Sequence, residues 1–217
     1  MNLKAIILDF DGVVVESNQI KHQAFAEIFG EYPEHYDEMM AYHLAHNHVD
    51  RYKKFRYWIE TVLKREYTKE KGDKLAQRFA KLTREKIINS PYVDGALDFI
   101  DFFSKRYPVY IASATPLNEL MIILKARGLD KYFKGIYGAP TPKIRMFSDL
   151  IEKEKVAPNE VLFIGDSPED YQVAGEGGLL FLARTSEHNL DPGKAQSFKN
   201  MSEVKEHILK GGNNGIS

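Results

Sequence analysis

Residues 4–12 read KAIILDFDG, an apolar run followed by two aspartates and a glycine. Its first part is nearly all apolar without alternation, which is typical of a strand buried on both faces of a parallel sheet. Because side chains two residues apart in an extended chain point the same way, Asp9 and Asp11 converge while Phe10 turns into the core. Gly12 lets the backbone approach a ligand closely. The stretch therefore predicts a buried strand that ends at a ligand site.

Further apolar runs predict the other strands of the same sheet. They are Pro108–Ala112, Gly135–Tyr137, Val161–Ile164 and Leu179–Ala183. Segments with helical periodicity separate them, so strands and helices alternate after about residue 90. This alternation predicts an α/β fold, a doubly wound Rossmann-like parallel sheet of about five strands.

The connection after the first strand is far longer than the dozen or so residues that a crossover needs. It has helical patterning of its own, and one of its predicted helices buries a stripe formed by Tyr52, Phe55 and Ile59. We therefore expect residues 15–90 to form an inserted all-helical cap domain. Residues 1–14 and 91–217 are then the catalytic α/β core.

Composition limits the possible partners. Thirty basic and 31 acidic residues give a net charge of −1, so no overall positive field favours nucleic acid or an anionic membrane. A small phosphorylated metabolite needs only a local positive site. The absence of cysteine excludes disulfides, thiolate zinc sites and a cysteine nucleophile. No apolar run approaches the roughly 18 residues of a membrane span, and we expect a cytoplasmic monomer or homodimer.

Polar side chains follow each of three predicted strands. Asp9 and Asp11 follow the first strand, Ser113 and Thr115 the second, and Asp166 the fourth. In an open parallel sheet, ligands bind outside the carboxyl ends of the strands. Three carboxylates brought together there repel one another unless a cation joins them. Oxygen ligands without cysteine favour Mg²⁺.

Helix caps are expected next to these positions. Ser167 is predicted as an N-cap, with Asp170 three residues later as in a capping box. Thr115 is predicted as the N-cap of the helix that follows it, which leaves Ser113 to face the ligand. Thr141 is predicted to cap a third helix. Lys143 would then lie at the positive end of that helix, where a cation is unfavourable unless an anion is near.

At these residues the sequence resembles the haloacid dehalogenase-like (HAD) hydrolase superfamily. It is most similar to the branch of phosphoglycolate phosphatases and β-phosphoglucomutases, which has a helical C1 cap. Residues 9–12 match the first motif, Ser113 the second, Lys143 the third and residues 165–170 the fourth. The third motif departs from the pattern because Ile144, not proline, follows the lysine. With Arg145 two residues on, the phosphate-facing cation is Lys143 or Arg145.

The resemblance implies a role for each matched residue. Asp9 would be the nucleophile and Asp11 the general acid and base. Magnesium would be held by Asp9, the backbone carbonyl of Asp11, and Asp166. The remaining implied residues are Ser113, Ala114 and Lys143 for the phosphate, with Asp170, Gly12 and Ser167 in support.

The implied activity is a Mg²⁺-dependent phosphatase that hydrolyses a small phosphate monoester, a sugar phosphate or a phosphoglycolate-like compound, through an aspartyl-phosphate. A phosphomutase would keep the same core residues. A dehalogenase lacks the second aspartate of the motif, which Asp11 supplies here. A phosphonate hydrolase needs a Schiff-base lysine in the cap. A phospho-accepting module also clusters aspartates at strand ends, but its acceptor follows the third strand and it has no long insertion.

The cap is expected to select the substrate. Its candidates for contacting a polar or anionic leaving group are Lys21, His22, Arg51, Lys54 and Arg56. His43, His46 and His48 do not share one helical face, so their spacing argues against a metal site.

Overall fold

The computed structural model describes residues 2–46, 49–185 and 195–212. Its sheet has six strands, all paired in parallel. The strands are β1 (Ala5–Leu8), β2 (Val109–Pro116), β3 (Gly135–Ala139), β4 (Val161–Gly165), β5 (Leu180–Arg184) and β6 (Ser197–Phe198). The predicted doubly wound α/β fold is confirmed, with a sixth, two-residue strand that the sequence pattern did not indicate.

Nine α-helices lie in the described ranges. They are α1 (Asn18–Phe29), α2 (Tyr36–Ala45), α3 (Arg51–Tyr57), α4 (Lys69–Ile88), α5 (Ala96–Ser104), α6 (Leu117–Ala126), α7 (Lys143–Glu154), α8 (Pro168–Gly177) and α9 (Met201–Gly212). A π-helical turn, Trp58–Val62, follows α3 directly. None of these helices combines the length and the apolar composition that crossing a membrane requires.

The strand order places the carboxyl ends of β1 and β4 side by side. The order is β3-β2-β1-β4-β5-β6, so the winding direction reverses between β1 and β4. Ile7 pairs with Tyr110 on one side and with Phe163 on the other. Ligands bind in such a sheet at the carboxyl edge, where the winding reverses. The residues that follow β1 and β4 therefore mark the place to look for a site.

Helices cover the sheet because its central strands β1 and β4 are apolar throughout. On one face Ile7, Tyr110 and Phe163 pack against Phe147 of α7 and Ala174 of α8. The alternate residues of β1 and β4 are buried as well, which requires a second layer on the opposite face. Helices α5 and α9 contact each other and also β2 and β5.

The chain divides into two compact units. One consists of Met1–Glu16 and Ser90–Ser217 and contains the whole sheet, and the other is Ser17–Asn89 and contains α1 to α4. The core of the helical unit is largely aromatic. The ring of Phe25 contacts the rings of Phe29, Phe55 and Phe79.

The stripe predicted for α3 is wrong at Tyr52, which is 40% exposed. Phe55 and Ile59 are buried as predicted, but Arg51 and Lys54 are buried too. The reason lies in their long side chains, whose apolar stems pack well while the cations lie over aromatic faces. The guanidinium of Arg51 is 4.5 Å from the centre of the Phe79 ring. The buried face of α3 therefore includes Arg51 and Lys54 and leaves Tyr52 outside it.

Candidate active site

Asp9 is held at the end of β1 by the neighbouring strand. Its backbone N–H donates to the carbonyl of Ile164 in β4, 2.9 Å away. Its carboxylate Oδ1 accepts the N–H of Phe10 at 2.6 Å. Asp9 is 8% exposed. The second carboxylate oxygen is therefore the one directed at other side chains.

Asp166 and Asp170 reach the same place from the end of β4. Ser167 caps α8 as predicted, because its Oγ accepts the N–H of Asp170 at 3.2 Å. The Ser167 hydroxyl also donates to Oδ2 of Asp170 at 2.9 Å, which orients that carboxylate. A Cβ added at Gly165 would lie 2.5 Å from Cβ of Asp170, so only glycine permits this approach.

Carboxylate oxygens from Asp9, Asp166 and Asp170 lie within 4.8 Å of one another. All three residues are buried. A compact set of oxygen donors without histidine or cysteine fits a hard divalent cation such as Mg²⁺. The predicted ligands Asp9 and Asp166 are thus brought together, and Asp170 joins them with its side chain.

Lys143 is the cation that faces this cluster. Its Nζ lies 2.6 Å from Oδ2 of Asp9 and 2.5 Å from Oδ1 of Asp170. The predicted cap at Thr141 is wrong, since Pro142 occupies the N-cap position and Lys143 is the first residue of α7. Arg145 instead pairs with Asp149 at 2.9 Å, and its side chain is 67% exposed. Of the two predicted cations, Lys143 is the one that contacts the carboxylates.

The electrostatics of the cluster call for a further positive charge. Burial raises the pKa of Asp9 to about 8, and the neighbouring carboxylates add to this rise while Lys143 opposes it. Burial lowers the pKa of Lys143, but Asp170 and Asp9 outweigh burial and hold that pKa above its ordinary value. When Asp9 is ionised, three clustered carboxylates share one ammonium group, which leaves a net negative charge in the cluster. A divalent cation would remove the imbalance.

Asp11 points its carboxylate at two hydroxyls of β2. Its Oδ2 accepts from Oγ1 of Thr115 at 3.0 Å and from Oγ of Ser113 at 3.3 Å. Thr115 is not the predicted N-cap, because β2 continues to Pro116 and that proline occupies the N-cap position of α6. Sequence reasoning thus missed a role for Thr115 in orienting Asp11.

Ser113 lies beside Asp11, where the second motif was expected. Ser113 is fully buried, and its Oγ accepts the N–H of Thr115 at 3.1 Å. Ala114, which lies between Ser113 and Thr115 in the chain, is half-buried. Gly12 follows Asp11 with a φ of +75°, a conformation that side chains other than glycine rarely adopt.

The predicted selectivity residues belong to the helical unit. Two of them, Lys54 and His22, are both within hydrogen-bond distance of His43. Nζ of Lys54 is 2.9 Å from Nδ1 of His43, and Nε2 of His43 is 2.7 Å from Nδ1 of His22. Lys54 and His43 are each only 2% exposed. The sequence did not predict that His43 connects Lys54 with His22. His48 lies outside the described residues.

The other candidates of this unit are placed differently. Arg51 is buried over the Phe79 ring, whereas Arg56 is exposed, with its guanidinium 4.8 Å from the centre of the Tyr67 ring. Lys21 is half-buried in α1. Arg51 and Lys54 thus lie on the buried face of α3, whereas Arg56 is exposed.

Comparison with known proteins gives consistent matches. The family model of the haloacid dehalogenase-like hydrolases matches residues 3–178. A phosphorylated carbohydrates phosphatase from Thermotoga maritima is 24% identical over 200 residues, which cover 89% of each protein. A β-phosphoglucomutase structure from Clostridium difficile has a TM-score of 0.77 at 17% identity and covers 98% of both chains. A predicted phosphoglycolate phosphatase from Haemophilus somnus has a TM-score of 0.74 at 16% identity, covering 96% of this chain and 99% of its own.

Proposed function

Because this chain belongs to the haloacid dehalogenase-like hydrolase family, we propose that it is a Mg²⁺-dependent phosphatase for a small phosphate monoester. The family resemblance read from the motifs is confirmed by the match over residues 3–178. One observation carries the proposal: buried carboxylates and one partly buried lysine meet at the carboxyl ends of β1 and β4. Such a site is built to handle an anion together with a metal ion.

The substrate class follows from the chemistry of the site and from a relative. A phosphate monoester carries the oxygen-rich negative charge that a lysine and a divalent cation neutralise. The Thermotoga maritima relative is named for its action on phosphorylated carbohydrates, which favours a sugar phosphate over a phosphoglycolate-like compound. A cytoplasmic location and a monomeric or homodimeric state stay predictions from the sequence.

Asp9 is the nucleophile in the proposed reaction. Its carboxylate oxygen attacks phosphorus and forms an aspartyl-phosphate, while the ester P–O bond breaks and the alkoxide leaves. Asp11 donates the proton that the alkoxide needs. Asp11 then takes a proton from water, which attacks phosphorus, breaks the bond to Asp9 and releases phosphate. The two steps return both aspartates to their starting forms.

The phosphoryl oxygens need donors that are already in place. Lys143 lies 2.6 Å from the attacking residue and can donate to a phosphoryl oxygen bound there. We assign the backbone N–H of Ala114 to the same task, together with the Ser113 hydroxyl once its hydrogen turns from Asp11 to the phosphate. Donors fixed before the reaction stabilise developing charge without reorganising. Thr115 keeps Asp11 oriented between the two steps.

The carboxylates of Asp9, Asp166 and Asp170 would hold the metal, and the backbone carbonyl of Asp11 is the further ligand that the family resemblance implies. When bound, Mg²⁺ supplies positive charge that lets an anionic nucleophile and an anionic phosphate come together. Ser167 and Gly165 fix the direction of the Asp170 carboxylate.

The metal requirement gives the first test. We expect purified protein to release inorganic phosphate from members of a panel of phosphorylated metabolites, and to lose this activity in excess EDTA after dialysis. Added Mg²⁺ should restore it. Activity that persists unchanged in EDTA would contradict the metal assignment. A phosphomutase would instead convert its substrate into an isomeric phosphate with little free phosphate, so product analysis distinguishes the two.

We further propose that Lys54 and Arg51 of the helical unit select the leaving group, since selectivity cannot come from a phosphate site that all esters share. Lys54→Met is expected to raise KM for the best sugar phosphate about tenfold or more, the cost of one lost charge-assisted hydrogen bond. KM for p-nitrophenyl phosphate should change little because that substrate offers no sugar hydroxyls or second charge. Steady-state kinetics on both substrates measures this.

The neighbouring lysine supplies the control for that experiment. Lys53 has a 76% exposed side chain and pairs only loosely with Asp50, at 3.6 Å. Lys53→Met should leave KM unchanged on both substrates. If Lys54→Met lowered activity on both substrates in parallel, destabilisation of the unit would explain the loss and selection by Lys54 would be wrong.

A further inference from the structure

The turn that follows Asp11 is closed by its own backbone. The N–H of Gly12 donates to the carbonyl of Val15 at 2.8 Å, and the N–H of Val14 donates to the carbonyl of Phe10 at 2.9 Å. Asp11 lies at the entrance of this turn, so a shift of the turn moves the Asp11 backbone with it. These bonds leave the Gly12 carbonyl to a partner from elsewhere in the sheet.

Arg184 is that partner, and it comes from the carboxyl end of β5. Its NH1 group donates to the carbonyl of Gly12 at 3.0 Å. The same guanidinium forms a two-pronged pair with Glu16, with distances of 3.1 Å and 2.5 Å to the two carboxylate oxygens. Its Nε donates to the carbonyl of Lys199 at 3.3 Å. The Arg184 side chain is only 12% exposed.

Glu16 is also the last residue before the helical unit begins. Its N–H donates to the carbonyl of Pro91 at 3.0 Å, and the N–H of Val93 donates to the carbonyl of Val14 at 3.1 Å. The outgoing and returning segments are therefore hydrogen-bonded side by side at this point. Arg184 fixes the outgoing segment at both of its ends, at Gly12 and at Glu16.

We propose that Arg184 is a positioning residue for Asp11, held in place by Glu16. Arg184 orients Asp11 through its hydrogen bond to the Gly12 carbonyl and does not contact the substrate. The inference rests on the proposed function, because it needs Asp11 to act as the general acid. General acid catalysis contributes roughly 10²–10⁴-fold, and a displacement of about 1 Å in a catalytic group can cost about 10²-fold. If the turn is loosened, part of the rate enhancement that Asp11 contributes as general acid is therefore lost.

Two aryl phosphates of similar size separate this role from simple structural support. Phenyl phosphate has a poor leaving group that needs the proton of Asp11, whereas p-nitrophenyl phosphate has a good one that does not. We expect Arg184→Gln to lower kcat/KM for phenyl phosphate about tenfold or more, with less than about a threefold change for p-nitrophenyl phosphate. Asp11→Asn should show the same selectivity with a larger loss.

The companion variants make the test specific. Arg184→Lys keeps the charge but not the forked geometry, so it should restore part of the lost kcat/KM on phenyl phosphate. Glu16→Gln should give a smaller loss of the same kind, and its combination with Arg184→Gln should add nothing further, since both act through one link. Arg106→Gln is the matched control, because NH1 of Arg106 also donates to a carbonyl, that of Phe102, but outside the site.

Equal losses on the two aryl phosphates, or none on either, would overturn the positioning role. The same holds if the double variant showed the sum of the two single losses. A wild-type protein that releases phosphate neither from these esters nor from the panel of phosphorylated metabolites in the presence of Mg²⁺ would contradict the proposed function itself, and with it this inference. The two failures are distinguishable because the second is seen without any substitution.

Discussion

Replacing Asp9 with asparagine is expected to lower kcat roughly 10⁴- to 10⁶-fold on every phosphate ester that the protein hydrolyses. Asparagine keeps the acceptor for the Phe10 N–H, which Oδ1 of Asp9 now binds at 2.6 Å. It removes the oxygen that faces Lys143 and would attack phosphorus. Because the substitution takes one negative charge out of a repelling cluster, the fold should not be destabilised.

A second aspartate of the same unit controls for the substitution itself. Asp149 is partly exposed and pairs with the exposed Arg145, so Asp149→Asn should retain full activity. Phosphate release and the thermal unfolding midpoint should be measured for both variants. If Asp9→Asn were folded and stayed within tenfold of the wild type, Asp9 would not be the nucleophile.

Lys143→Met is expected to produce the second largest loss, about 10²- to 10³-fold in kcat, the range observed when one preorganised donor is removed. Methionine matches the length of the side chain but cannot donate to a phosphoryl oxygen. The substitution also leaves Asp9 and Asp170 without the ammonium group that now lies within 2.6 Å of each. Steady-state kinetics at saturating Mg²⁺ separates the loss of kcat from weaker metal binding.

Lys205, in α9, has a side-chain environment similar to that of Lys143 and provides a control for that substitution. Its side chain is 18% exposed against 16% for Lys143, it pairs with Asp98 at 2.7 Å, and it also lies over an aromatic ring. Lys205→Met should therefore keep kcat near the wild-type value. Arg145→Gln should do the same. A large loss in Arg145→Gln with none in Lys143→Met would reverse the assignment of the phosphate-facing cation.

The sequence predicts those parts of the site whose signals are local. Asp9 adjoins its own buried strand, and the Ser167 cap and Asp170 are only three positions apart. Lys143 was identified by its position at a helix start, although the helix begins one residue later than predicted. Such patterns depend on local backbone geometry, although the Thr115 and Thr141 caps show that a short-range pattern does not always form.

The missed residues act over long distances in the chain. Thr115 reaches Asp11 across 104 positions, and Arg184 reaches Gly12 across 172. No local pattern marks such a pair, because only the strand order brings β2 and β5 to the same edge as β1. The face of α3 was misassigned for another reason. Binary patterning treats Arg51 and Lys54 as polar, whereas their stems pack against rings.

The most direct test of the account is to trap the phosphorylated enzyme. Wild type and Asp11→Asn would be mixed with p-nitrophenyl phosphate and Mg²⁺, quenched in acid within the first turnovers, and reduced with borohydride, which converts an aspartyl-phosphate into homoserine. Peptide mass spectrometry then locates the homoserine. We predict it at position 9, with more in Asp11→Asn because that variant lacks the base for the second step. Homoserine at position 11, 166 or 170, or none in either protein while the wild type releases phosphate, would contradict catalysis through Asp9.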